Sequence, residues 1–322
     1  MEYKKLYIIG NGFDVHHCIK SSYRNYMNWL KEYHKEDYQK IVNFYGEEAE
    51  NLEWWYEFET NLGYFDIRGK VESLAFQNQP TDSQIEKMRA IDTMGGAWDA
   101  QVEIGGIIKI LKSTFHDWID SLSPALSGSK TVLDATDSFF INFNYSLTLE
   151  NVYSIPSNQI FHIHGCLNDD EYIIGHGRSY EDVKEDAEPY LAPFDPDKDD
   201  PSEYGLDAID DEITENTKRE VITQVMDAAK PTSEIISNNS AIFEQLKYVT
   251  EVYIYGLSFS PVDEPYLEHI ISTVAPNAQY VASYYSRSDM ENIETFAKKH
   301  DIAIRLVQLE DLQVVRQLKM FE

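Results

Sequence analysis

An α/β fold, a parallel sheet carrying a large helical insertion, is predicted by three features of the sequence. Short apolar runs that end at Gly, Asn or His clusters read as strands, helix-patterned stretches alternate with them in the C-terminal half, and one long helix-patterned block interrupts the series early.

The first unit is the run LYII at 6–9, followed by Gly10-Asn11-Gly12-Phe13-Asp14 and a helix entered near Tyr23, which reads as strand, tight turn, helix. Residues 23–116 are helix-patterned, with Trp29, Trp54, Trp55, Phe58, Trp98 and Phe115 as aromatic positions. Strand-like runs return at 138–143, 160–163 and 172–174. Residues 181–215 hold fifteen acidic and two basic residues together with Pro189, Pro193, Pro196 and Pro201, and are expected to form an exposed loop or lid. A helix-patterned stretch at 218–245 then leads into strands at 252–255, 280–284 and 302–306, with helices after Pro261 and over 289–299 between them. The expected division is an α/β core of 1–22 and 130–322 around a helical insertion at 23–129.

The composition supports a folded chain. Of 322 residues, 43% are hydrophobic and 13% aromatic, enough for a substantial core. The 27 basic residues against 56 acidic give a formal charge of -29, which repels a phosphate backbone and argues against broad nucleic-acid binding. Lys20, Arg24, Arg178 and Arg287 are dispersed and form no basic stripe. No apolar run is long enough to span a bilayer, and no signal-peptide cleavage pattern precedes the first strand, so a cytoplasmic location is expected. Cys18 and Cys166 lie in no C-x-x-C pair and are expected to be reduced thiols.

Four constellations could carry chemistry. Gly10, Asn11 and Gly12 leave a buried strand, where glycines let backbone N–H groups approach a phosphate; the same residues serve a tight strand-to-helix turn, with Asp14 at the helix start. Val15 stands where the third glycine of a G-x-G-x-x-G fingerprint would fall. Asn142-Phe143-Asn144-Tyr145-Ser146, with Thr148 and Glu150, ends the second strand; Asn144 offers a donor and an acceptor to a ribose or amide, or caps the next helix. In His162-Ile163-His164-Gly165, strand alternation sends both imidazoles to one face, and His164, nearer the open end, is the candidate for proton transfer. A metal reading would add His176, although no compact ligand motif is present. The fourth is the turn from Gly256 through Ser258 to Asp263, where Ser260 caps a helix that starts at Pro261. Gly256 and Ser258 share a cleft with Gly10 if their strands are neighbours. Trp54, Trp55, Phe58 and Glu59 read as a helical core stripe with a paired carboxylate.

Taken together, LYIIGNGFDVHHCIKSSY at 6–23, INFNYSLTLE at 141–150, IFHIHG at 160–165, IGHG at 174–177 and IYGLSFSPVDEPY at 254–266 resemble the AbiH-like bacteriophage abortive-infection family. The resemblance runs across nearly the whole chain and implies a role in bacterial defence against phage. The same blocks are remotely similar to sirtuin-like proteins, which implies a Rossmann-like (sirtuin-like) nucleotide-binding core and NAD as ligand or substrate. By that resemblance Gly10, Gly12 and Asn144 match nucleotide-contact positions, His164 the catalytic base, and Gly256 and Ser258 the turn near the adenosine ribose. Two departures stand out: Cys18 follows His17 where AbiH-like proteins often have glycine, and Ser146 replaces an aspartate often found after the Asn-Tyr pair. The expected function is an effector that hydrolyses the glycosidic bond of NAD, with His164 and Asn144 catalytic and Gly10, Asn11, Gly12, Asp14, Gly256 and Ser258 binding the nucleotide. The alternatives are a non-catalytic nucleotide sensor or protein-interaction component of a defence system, and a metal-dependent hydrolase. A phage-derived trigger, a defence partner and an oligomer are all compatible with the sequence.

Overall fold

A computed structural model describes residues 2–85, 87–123, 131, 133–190 and 204–312. Six strands form one sheet: β1 (Lys5–Ile9), β2 (Ser138–Asn142), β3 (Ile160–His162), β4 (Glu251–Tyr255), β5 (Gln279–Ser283) and β6 (Ile304–Val307). All pair in parallel, in the order β3-β2-β1-β4-β5-β6. This is the doubly wound, Rossmann-like order, in which the chain builds outward from β1 on one side and then returns to add β4 on the other.

The strands form where the sequence has apolar runs because the sheet is covered on both faces. All five residues of β2 are buried, as are the last four of β1. Leu6, Ile8, Phe139, Ile141, Val252 and Ile254 point into one core cluster; Tyr7, Ile9, Phe140 and Tyr255 point into another on the opposite face. On the second face Tyr7 stacks on Phe140 and on Tyr253, with ring centroids 5.0 and 4.8 Å apart.

The chain divides into two compact units, 1–33 with 114–173 and 231–322, and 34–113 with 174–230. All six strands belong to the first. The second is helical, and its core joins Ile67, Val71 and Leu74 to Ala100, Ile104, Val221 and Val225. Here Trp54, Trp55 and Phe58 are buried and Glu59 pairs with the buried Lys230 at 3.0 Å, the stripe and paired carboxylate that the sequence suggests. The division differs from a single insertion at 23–129, because the Tyr204–Met226 helix supplies Val221 and Val225 to the core of the helical unit.

Three expectations about elements change. Residues 172–174 are not a strand: Ile173 N–H bonds to His164 O, but no ladder follows. The acidic stretch at 181–215 is not a continuous loop. Ser179 and Asp182 make a capping box for the Tyr180–Asp186 helix, whose first turn favours acidic side chains, and residues 204–215 lie in the Tyr204–Met226 helix. Pro193, Pro196 and Pro201 lie outside the described residues. The helix expected at Pro261 begins three residues later, spanning Glu264–Thr273 with Pro265 in its first turn, so Ser260 is not its cap. No helix among the described residues is long and apolar enough to cross a membrane.

Candidate functional site

The strand order makes β1 and β4 neighbours, so their carboxyl-terminal turns meet where a doubly wound sheet reverses direction, the place such sheets hold ligands. Gly10, Gly12 and Gly256 come together here. A Cβ on Gly10 would stand 2.6 Å from Gly256 O, one on Gly12 2.9 Å from Gly256 Cα, and one on Gly256 2.1 Å from the Phe13 nitrogen. Gly256 also has a φ of 69°, in the left-handed region that glycine favours. The three glycines therefore let two turns pack backbone to backbone. Their amides are engaged: Gly10 N–H donates to Tyr255 O, Gly12 N–H to Gly256 O and Gly256 N–H to Ser283 Oγ. Asn11 Oδ1 accepts from Ser21 Oγ at 2.5 Å, and Ser258 is exposed, its carbonyl accepting from the Asn292 side chain.

Beside these turns lies a buried acid. Asp14 is 1% exposed on the short Asn11–His16 helix. Thr148 Oγ1 donates to Asp14 Oδ1 at 2.8 Å, and Ser146 Oγ lies 2.8 Å from Thr148 Oγ1. Burial pushes the Asp14 carboxyl up to about 6; the polar side chains of Ser146, Thr148 and Asn144 and the nearby His162 pull the other way. Asn144 ties the cluster to the first turn, its Nδ2 donating to Gly10 O at 3.0 Å while its own N–H is held by Asn142 Oδ1. The residues of β1, the first helix and the β2 turn thus form one network, though they are about 130 positions apart in the chain.

The two histidines separate. β3 ends at His162, the chain turns, and Gly165 takes a φ of 86°, so alternation does not carry through to His164 and the same-face expectation fails. His162 lies on the Asn142 side, its Nε2 2.8 Å from Glu150 Oε1 and its Nδ1 3.4 Å from both Asn142 Nδ2 and Asn144 O. Glu150 Oε2 is buried without a hydrogen-bond partner. His164 turns instead among Phe143, Tyr145 and Tyr266, with Nε2 3.8 Å from Asp263 Oδ1. His176, in the helical unit, has Nε2 2.9 Å from Val225 O and Nδ1 accepting from Arg178 N–H; with both ring nitrogens engaged it offers no lone pair to a metal. Neither cysteine is in a disulfide, and burial with the Asp169 charge pushes the Cys166 thiol up to about 11, which keeps it protonated.

Sequence reasoning finds Asn144 and also Asp14, as a helix-start and nucleotide-binding residue, but takes His164 rather than His162 for proton transfer. The pairing of His162 with Glu150 is the feature it misses. Its one signal is the placement of Thr148 and Glu150 just past the end of β2, on the Thr148–Tyr153 helix, facing the next strand.

A doubly wound α/β protein with a buried acid, amide and imidazole cluster at the carboxyl edge of its sheet is the class that this fold and site define. The chain belongs to the bacteriophage abortive infection AbiH family, whose pattern matches residues 6–284. Membership implies a defence role in abortive infection. No curated protein and no solved structure gives a significant match.

Proposed function

We propose that the chain is a defence effector that hydrolyses the bond between nicotinamide and ribose in NAD or a closely related nucleotide. The observation that carries this reading is the Asp14 cluster. A carboxyl raised to about 6 by burial, beside an imidazole oriented by a second carboxylate, stands at the edge where doubly wound sheets take nucleotides. Asp14, ionised, would stabilise positive charge developing on the ribose, the task left open by the serine at 146. His162, oriented by Glu150, would accept a proton as water attacks C1′ and the carbon–nitrogen bond breaks toward nicotinamide. Water and NAD thus give nicotinamide, ADP-ribose and one proton. Asn144 positions the acid and the Gly10 turn, and His164 shapes the apolar wall near Asp263.

Incubation of the purified chain with NAD, followed by chromatography, tests the proposal. Nicotinamide and ADP-ribose in equal amounts, reduced at least about a hundredfold in His162→Gln, support it. Ligand-induced thermal stabilisation with NAD intact would instead favour the sensor reading, and neither response would overturn both.

A further inference from the structure

Away from the Asp14 cluster, two helices of the same unit bring three metal-ligating donors together. Glu264 and Glu268 are one turn apart on the Glu264–Thr273 helix, so their carboxylates leave the same face. His300, at the C-terminal end of the Arg287–Lys299 helix, directs Nε2 toward both, 3.7 Å from Glu264 Oε1 and 3.5 Å from Glu268 Oε1. One donor atom from each residue lies within 4.8 Å of the others. Ligand bonds of about 2.1 Å in a tetrahedral zinc site give donor separations of roughly 3.4 Å, so the imidazole already stands near ligand spacing from each carboxylate.

Two further observations point to a cation at this place. His300 Nε2 is shut off from solvent yet makes no hydrogen bond, although hydrogen bonding is the usual state of a buried polar atom. The carboxylates already hold a positive charge: Lys299 Nζ donates to Glu264 Oε1 at 2.8 Å and to Glu268 Oε1 at 3.0 Å. The Lys299 side chain is 55% exposed, so its ammonium can swing into water at little cost.

We propose that Glu264, Glu268 and His300 form a binding site for a divalent first-row cation of the zinc type, with Lys299 as the cation that the metal displaces. The imidazole selects zinc or cobalt over calcium and magnesium, which prefer an all-oxygen shell. Three protein ligands leave a coordination position for water. The bound ion would tie the two helices together next to Asp263, which faces His164, and so brace that wall of the sheet's carboxyl edge. The site stands whether or not the chain cleaves NAD.

The test is calorimetric titration of zinc chloride into the full chain after chelator treatment, with cobalt absorption spectra as a second readout. One ion per chain is expected, with a tetrahedral cobalt band. Affinity should fall by at least about tenfold in His300→Gln and in Glu268→Gln. Lys299→Met keeps all three donors and removes the competing charge, so its affinity should rise. Diffuse attraction to an acidic surface would survive His300→Gln, and that result, or no zinc binding by the wild type, overturns the proposal. Should the donor variants fail to fold, unchanged affinity in Lys299→Met overturns it equally.

Discussion

Asp14 binds its proton more tightly in the folded chain than in the unfolded one, because burial raises its carboxyl from the ordinary 3.8 to about 6. Below 3.8 both states are protonated and the acid costs nothing. As pH rises through the window from 3.8 to about 6 the unfolded chain releases the proton first, so stability falls, and above 6 the full penalty of about 3 kcal/mol is present. Asp14→Asn keeps an oxygen for Thr148 and removes the charge. The variant should therefore match the wild type near pH 4 and exceed it by about that amount near pH 8, measured by urea denaturation at each pH. A difference that does not vary with pH would contradict the buried, raised carboxyl. Cys18 makes a second residue-scale case. It has a φ of 62°, a conformation that costs a side chain about 1–2 kcal/mol and that glycine adopts freely. Cys18→Gly should raise stability by up to about 1 kcal/mol, net of the entropy that glycine adds to the unfolded chain, and a lower denaturation midpoint would refute this.

The element that holds the site together is the pair of turns after β1 and β4. Gly256→Ala would place a methyl 2.1 Å from the Phe13 nitrogen in a left-handed conformation, and backbone stands on both sides of the contact. A loss of about 2–5 kcal/mol is expected in chemical denaturation, and a loss below about 1 would mean that the turns can separate. The six observed strands were legible as apolar runs because the sheet is covered on both faces, fully at β2 and least at the edge strands β3 and β6, and their ends shift by only a residue or two. Residues 172–174 show the limit of that signal: Ile174 is buried as a strand residue would be, yet the segment packs without pairing. The acidic stretch departs from a loop for a different reason. Charge density and proline suggested a loop, while the capping box at Ser179 and the apolar positions Ile213, Val221 and Val225 build helices on either side. The site was legible only in pieces. Asp14, Asn144, Gly10 and Gly256 each stand out in the sequence, but their meeting depends on β4 lying beside β1, a long-range fact that no local pattern contains. The separation of His162 from His164 likewise depends on the strand ending one residue before Ile163.

Across the whole molecule, the parallel sheet supplies a carboxyl edge at which glycine turns, a buried acid and a carboxylate-held imidazole share one network. The helical unit adds a separate core with its own Glu59–Lys230 pair. The formal charge of -29 gives the surface an electrostatic field that repels polyanions. Membership in the abortive infection family gives such a site a context in phage defence. The central claim is that Asp14 is the group on which this chemistry turns. The most direct measurement compares nicotinamide release from NAD by the wild type and by Asp14→Asn, at a pH where both are folded. The account predicts turnover by the wild type and a loss of at least about a hundredfold in a variant that is no less stable; equal turnover by the two proteins would contradict it.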